Sequence, residues 1–144
     1  MSDAPSPRRF ALAAAWPVAL LLALVSLGGI MLPGAYARET PAWTAQAVGQ
    51  DWFDLLVAAP WIALAGYGAR TGSRRWRILL AGAYAYTVYE MLIYAFAVHW
   101  NALFLAYCAT LGLAGYALVA LAIELSDHVI TVERRRARQA GGFL

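Results

Sequence analysis

The chain has 144 residues, of which 62% are hydrophobic and 13% charged, and its mean hydropathy is +0.60. Soluble domains are about 45–50% apolar and about 25% charged, so the composition argues against a water-soluble protein and predicts one lipid-solvated domain. The net charge is +3. The arginines flank apolar runs and form no basic face with interleaved aromatic residues, so we do not expect nucleic acid as a partner.

The first apolar run covers about residues 10–32 and follows Arg8 and Arg9. A helix needs roughly 20 apolar residues to cross the hydrocarbon core, and this run is longer. The alternative is a secretory signal, because Ala35-Tyr36-Ala37 has the form of a cleavage site that ends at Ala37. Signal cores are about 7–15 residues long, so the length of the run favours an uncleaved helix.

Three further apolar runs follow a predicted polar loop at residues 36–50. They cover about residues 52–69, 78–98 and 102–125. The turn His99-Trp100-Asn101 is so short that the third and fourth helices must be antiparallel neighbours. The runs are too long for strands and do not alternate. The chain is therefore predicted to be an all-α, membrane-spanning four-helix bundle with up-down-up-down order.

The arginines predict the orientation of this bundle. Ten of the eleven fall in three clusters, at residues 8–9, 70–77 and 134–138. The positive-inside rule places these clusters, both termini and a basic tail at residues 126–144 in the cytoplasm. Anionic lipid headgroups are the expected partners of the inner arginines, namely Arg70, Arg74, Arg75, Arg77, Arg134, Arg135 and Arg136.

Glu90 is the first candidate site, because it lies near the middle of the third span. A charged side chain there costs about 2.5–3.5 kcal/mol, so we expect Glu90 to face the interior and carry a proton. Tyr86 and Tyr94 share its helical face and can donate hydrogen bonds to it. Pro60 interrupts the second helix at a similar depth and frees a carbonyl. A structural alternative is a neutral glutamate that joins two helices.

A second candidate site lies at the predicted outer rim. Asp51 and Asp54 stand at the start of the second helix, and His99 and Asn101 stand in the last turn. Two carboxylates and an imidazole suit a divalent cation. The favoured interpretation is simpler: Asp51 and Asn101 cap helices, and Asp54 complements a helix dipole. We therefore predict no metal.

The remaining polar residues predict no chemistry. Glu124 and His128 are four residues apart near the end of the fourth span, where local ion pairs with the arginines are the simpler interpretation. Cys108 is the only cysteine, and we expect it to be a small packing residue. Together with Gly112 and Gly115 it forms a stripe of small residues that lets another helix approach closely. Nucleotide loops, catalytic triads and HExxH strings do not occur, so neither a cofactor nor a catalytic residue is predicted.

Several short strings resemble a set of small bacterial membrane proteins of unknown function. The strings are Gly49-Gln50-Asp51, Arg70-Thr71-Gly72-Ser73, Tyr94-Ala95-Phe96 and Asn101-Ala102-Leu103-Phe104-Leu105-Ala106-Tyr107. The resemblance covers about residues 12–125 and implies a multi-pass protein of the bacterial cytoplasmic membrane, without an activity. That set has an uncharged polar residue where Glu90 stands, which weighs against a shared role for Glu90 and slightly favours Asp51 with Asn101.

Two classes of function remain from the sequence. The first, which the sequence favours, is a structural or interaction subunit without catalytic activity of its own that binds another membrane protein or a second copy of itself. The second is a small oligomeric transporter or ligand-binding bundle that uses Glu90 or the outer rim. An enzyme is the least favoured class, because no nucleophile or metal set converges.

Overall fold

The computed structural model describes the backbone of residues 6–141 and the side chains of residues 6–126. These residues form helices and contain no strand. The helices are α1 (Pro7–Met31), α2 (Pro41–Arg70), α3 (Arg74–Phe96) and α4 (Phe104–Gly141). Each contains a stretch that is long and apolar enough to cross a membrane, which in α4 is Phe104–Ser126. The prediction of an all-helical chain with four candidate spans is confirmed.

The four helices form a ring around one core. α1 packs against α2 and α4, and α3 packs against the same two helices. Small residues allow the closest approach, as where α2 crosses α1: a Cβ atom on Gly66 would collide with the Cβ of Ala15. Close packing of this kind replaces the hydrophobic effect as the attraction between helices in lipid.

α2 begins eleven residues before the predicted residue 52. The Thr40 hydroxyl accepts a hydrogen bond from the Trp43 amide at 3.3 Å, and Pro41 occupies the first helical position. A capping threonine followed by proline is a strong helix start, because both satisfy amides that lack intrahelical partners. Most of the predicted polar loop at residues 36–50 is therefore helical, in spite of its glutamines.

A π-helical turn at Asp54–Ala58 interrupts α2 just before Pro60. The amide of Ala59 donates to the carbonyl of Asp54, so the wider turn re-pairs the backbone ahead of the proline. Pro60 is exposed and lies on the outside of the bundle. The structure does not place it beside Glu90, contrary to the sequence-based hypothesis.

The arginine end of the bundle is the end that carries Arg70, Arg74, Arg75 and Arg77. The Arg77 side chain is 7% exposed and donates to Glu124 of α4 and, at 2.8 Å, to the carbonyl of Gly72. Arg77 is thus engaged within the bundle and is not free for headgroups, whereas Arg70, Arg74 and Arg75 are exposed. The predicted tail at residues 126–144 continues α4 as far as Gly141. The tail side chains, including His128 and Arg134 to Arg136, lie outside the described side chains.

The opposite end, here named the tryptophan end, holds the connections at residues 32–40 and 97–103. Trp43 and Trp100 lie at this end, and tryptophan is enriched where membrane helices meet water. Its two connections are joined by hydrogen bonds, described below, so the end is an ordered cap.

Candidate functional site

Three carboxylates are buried together in the half of the bundle nearer the tryptophan end. They are Asp51 and Asp54 of α2 and Glu90 of α3, with exposures of 1%, 1% and 3%. We call these three residues the carboxylate cluster. The sequence had assigned the aspartates to a surface rim. Because α2 begins at Pro41, they instead lie ten and thirteen residues inside the helix. Their partners Tyr94 and Tyr86 lie on α3, one turn on either side of Glu90.

Asp51 receives hydroxyl donors from one helix and one loop. Tyr36 donates to Oδ2 at 2.7 Å, and the Tyr94 hydroxyl lies 3.4 Å from Oδ1 and 3.3 Å from the carbonyl of Ala47. Burial raises the pKa of Tyr36 above its usual range, with a further contribution from Tyr94, so Tyr36 stays protonated and remains a donor. These bonds offset part of the cost of burying the Asp51 carboxyl group.

Gly29 of α1 makes room for this pair. A Cβ atom at Gly29 would lie 2.6 Å from the Tyr36 hydroxyl and 2.8 Å from the Asp51 carboxyl carbon. Real Cβ atoms do not approach so closely, so a larger residue here must displace the hydrogen bond. The glycine therefore belongs to the site.

Asp54 has two donors on one oxygen. The Tyr86 hydroxyl lies 2.5 Å from Oδ1, and the Gln50 amide nitrogen lies 3.3 Å from the same atom. Gln50 also bonds the Tyr86 hydroxyl, which closes a triangle of three side chains. Asp54 Oδ2 is buried without a partner.

Both carboxylate oxygens of Glu90 are buried and neither accepts a hydrogen bond from an amide or hydroxyl donor, although the Asp54 carboxyl group and the Tyr86 hydroxyl lie beside Glu90. The sequence-based hypothesis paired Glu90 with Tyr86 or Tyr94. In the structure the Tyr94 hydroxyl donates toward Asp51, and Tyr86, which also lies beside Glu90, donates to Asp54. Glu90 and Oδ2 of Asp54 are therefore the parts of the cluster with unused hydrogen-bonding capacity.

A cavity of about 200 Å³ lies between α2 and α3, and Glu90 forms part of its wall. The other walls used below are aromatic or carry amides: Trp43, Gln50, Tyr86, Tyr89 and Tyr94. The cavity extends from Trp43, in the first turn of α2, to Val98, just beyond α3. It therefore connects the Glu90 level with the tryptophan end.

His99 and Asn101 do not reach the aspartates, so the predicted outer rim is divided. His99 bonds Glu39 through its amide, at 2.8 Å, and through Nδ1, at 2.9 Å. The backbone bond from His99 lowers the pKa of Glu39 below its usual value, and the imidazole adds to this shift. Asn101 donates to the carbonyl of Ala35 at 2.9 Å and accepts from the Leu103 amide at 2.8 Å.

Asn101 still has an indirect connection to Asp51. Its amide nitrogen lies 3.3 Å from the Tyr107 hydroxyl, and the Tyr107 ring packs edge-on against Tyr94, with centroids 5.2 Å apart. Tyr94 in turn reaches Asp51. A chain of tyrosines thus joins the loop to the cluster.

Metal chelation is not what this geometry offers. Among residues 6–126, no three histidine, cysteine, aspartate or glutamate side chains converge on a point that would hold an ion. Glu124 pairs with Arg77, and Cys108 is exposed rather than packed in the core. The cluster suits binding of protons or of a cation that needs one carboxylate.

Sequence reasoning missed Tyr36, Gln50 and Gly29. Tyr36 stood in a loop and Gln50 in a segment predicted to be polar loop, although Thr40-Pro41 signalled a helix start. With α2 extended to Pro41, Gln50 falls four residues before Asp54, on the same helical face. Nothing in the local sequence marks Gly29.

Comparison of the chain with family models, curated proteins and solved structures finds no match in any of the three.

Proposed function

We propose that the chain is a multi-pass protein of the bacterial cytoplasmic membrane, with up-down-up-down order and both termini in the cytosol. The four apolar helices and the clustering of arginines at one end support this orientation. The resemblance to small bacterial membrane proteins supports the compartment. Topology reporters fused at each terminus and at residue 100 test it: both termini should report cytosol and the loop the outside.

We further propose that this bundle is a proton-coupled cation carrier centred on Glu90. The observation that carries the proposal is a buried glutamate that lies beside a second buried carboxyl group, Asp54, and forms part of the wall of a cavity. Each carboxylate in the membrane costs about 2.5–3.5 kcal/mol, and such residues commonly mark ion or proton pathways.

The three carboxylates have different roles in this proposed function. Hydroxyl and amide donors stabilise Asp51 and Asp54, whereas Glu90 accepts no such hydrogen bond and keeps its proton until a cation arrives. A cation in the cavity then stabilises the Glu90 carboxylate, and the proton leaves. Binding of the cation and release of the proton are therefore coupled at the Glu90 carboxyl group.

Infrared spectroscopy and flux in liposomes test this function together. The protonated carboxyl band of Glu90 should disappear in Glu90→Gln, and proton-coupled flux should disappear with it while the protein still folds. Glu39→Gln, which changes the glutamate of the loop, is the control and should retain both signals. A Glu90→Gln variant with an unchanged infrared spectrum and unchanged flux would refute the carrier.

A structural or interaction subunit is the second candidate, and the outer face of α4 favours it. Cys108 is exposed, and nothing lies within 4 Å of a Cβ placed on Gly112. Small residues on a lipid-facing surface admit a partner helix. Gly112→Leu should then disrupt a co-purifying complex or oligomer, whereas Gly82→Leu on α3, an equally open glycine, should not.

A further inference from the structure

The cavity beside Glu90 is larger than an inorganic ion requires. It measures about 200 Å³. One water molecule occupies about 30 Å³ of the liquid, so the space corresponds to several waters or to one small organic molecule. Hard metal ions favour sites with several carboxylate ligands, and Glu90 is the only acidic residue among the residues that line the cavity.

The walls of the cavity select for a positive, weakly hydrated group. Four aromatic rings line it, from Trp43, Tyr86, Tyr89 and Tyr94, and no arginine is among its lining residues. The faces of aromatic rings attract cations, most strongly quaternary ammonium groups that shed water easily. Glu90 adds the only carboxylate of the lining. An anion or a strongly hydrated inorganic ion has no counterpart here.

We infer that this cavity binds an alkylammonium group, which enters from the tryptophan end and displaces the proton of Glu90. The inference rests on the proposed function and names its substrate class. One positive charge enters as one proton leaves to water, so the charge of the buried site does not change. The ammonium group belongs either to a small soluble amine or to an aminophospholipid headgroup, which share this chemistry.

Proton release from the purified full chain tests the inference. Tetraethylammonium chloride is added to the protein in weakly buffered detergent containing a pH dye, and sodium chloride serves as the ionic control. One proton should appear per bound ammonium ion, and Glu90→Gln should release none. The much larger tetrabutylammonium ion should bind more weakly, since the cavity is small.

Two lipid-exposed tyrosines make a matched pair of variants. Tyr89 lines the cavity and is 66% exposed, whereas Tyr116 of α4 is 75% exposed and lies outside it. Tyr89→Leu keeps an apolar side chain but loses the aromatic face, which should weaken ammonium binding by roughly three- to thirtyfold. Tyr116→Leu should leave the affinity unchanged. Equal losses in both variants would overturn the role of the aromatic wall.

Experiments with lipid vesicles distinguish the two sources of the ammonium group. Vesicles of phosphatidylethanolamine that release the proton, when tetraethylammonium does not, would identify a headgroup as the ligand; phosphatidylglycerol vesicles should have no effect. If sodium releases the proton as well as tetraethylammonium does, or if no ammonium compound releases it, the ligand class is wrong. In that case the infrared band of Glu90 still decides separately whether the proposed function holds.

Discussion

The Tyr86 hydroxyl donates to Asp54 of the neighbouring helix across 2.5 Å, although Glu90 lies one turn along the same helix as Tyr86. This hydrogen bond determines which carboxyl group of the site receives the Tyr86 donor. It joins α2 to α3, supplies a donor to the buried Asp54 carboxyl group and directs the Tyr86 proton away from Glu90. A tyrosine hydroxyl can donate only one proton. The acceptor of the Tyr86 proton therefore decides which carboxyl group lacks this donor.

Removal of the Tyr86 hydroxyl should therefore weaken the contact between α2 and α3. In Tyr86→Phe the buried Asp54 keeps only the Gln50 donor, which should lower the free energy of unfolding by about 1–2 kcal/mol. Equilibrium unfolding in mixed detergent with increasing dodecyl sulfate measures this change. Tyr116→Phe, on a lipid-facing tyrosine, should stay within about 0.5 kcal/mol of the parent. Equal stability of the two variants would contradict the hydrogen bond.

An added methyl group at Gly29 should disturb the Asp51 site. In Gly29→Ala the new Cβ collides with the Tyr36 hydroxyl and the Asp51 carboxylate, which should cost about 1–3 kcal/mol of unfolding free energy. The same unfolding measurement applies. Gly34→Ala is a matched control at the same end, because a Cβ there meets nothing within 4 Å. If both alanine variants are as stable as the parent, Gly29 has no role in seating Asp51.

The Glu39–His99 contact should make the tryptophan end sensitive to acid. The pKa of Glu39 is lowered on folding, chiefly by the His99 amide, so its stabilising effect is present above the unfolded-state pKa. The effect is lost as the pH falls through the folded-state pKa. Titration of the Glu39 carboxyl carbon by nuclear magnetic resonance measures the shift.

A substitution at His99 separates the two causes of this shift. His99→Ala removes the imidazole but keeps the backbone amide, so the pKa of Glu39 should rise only partway toward its usual value. A complete return to the usual value would show that the imidazole, rather than the amide, is the main cause. The His99 side chain is 61% exposed, so its removal should not disturb the core.

The Arg77–Glu124 pair should behave as a buried ion pair at the arginine end. Loss of one member leaves an unpaired charge, so Arg77→Met or Glu124→Leu alone should cost about 3–5 kcal/mol of unfolding free energy. The double variant, which replaces both charges with apolar side chains, should recover most of this loss. Arg75→Met changes an exposed arginine and should have little effect. Additive losses in the double variant would show that the two side chains act independently.

The sequence predicted the helical class of the chain and the number of candidate spans because both follow from long apolar runs. The start of α2 was misplaced for a definite reason. Hydropathy favoured residue 52, where the apolar run begins, whereas the backbone begins its helix at Thr40-Pro41 with a cap. Local capping chemistry outweighs polarity at the end of a helix, and eleven further residues of α2 follow from it.

The sequence predicted the burial of some candidate residues correctly and of others wrongly. Glu90 was expected to be buried, and it is. Asp51 and Asp54 were expected at the surface and are buried, while Pro60 was expected inside and is exposed. The aspartates are buried because α2 begins at Pro41, which places them well inside the helix rather than at its end.

The amino-acid order alone determines which stretches need lipid around them and which carry charge, because these are properties of single segments. Which donor meets which carboxylate was decided only by the tertiary structure. The i±4 spacing places Tyr86 and Tyr94 on the face of Glu90, but packing against α2 offers them Asp54 and Asp51 instead. Hydrogen bonds between helices depend on relative depth and rotation, and the close approach at Gly66 and Gly29 sets both.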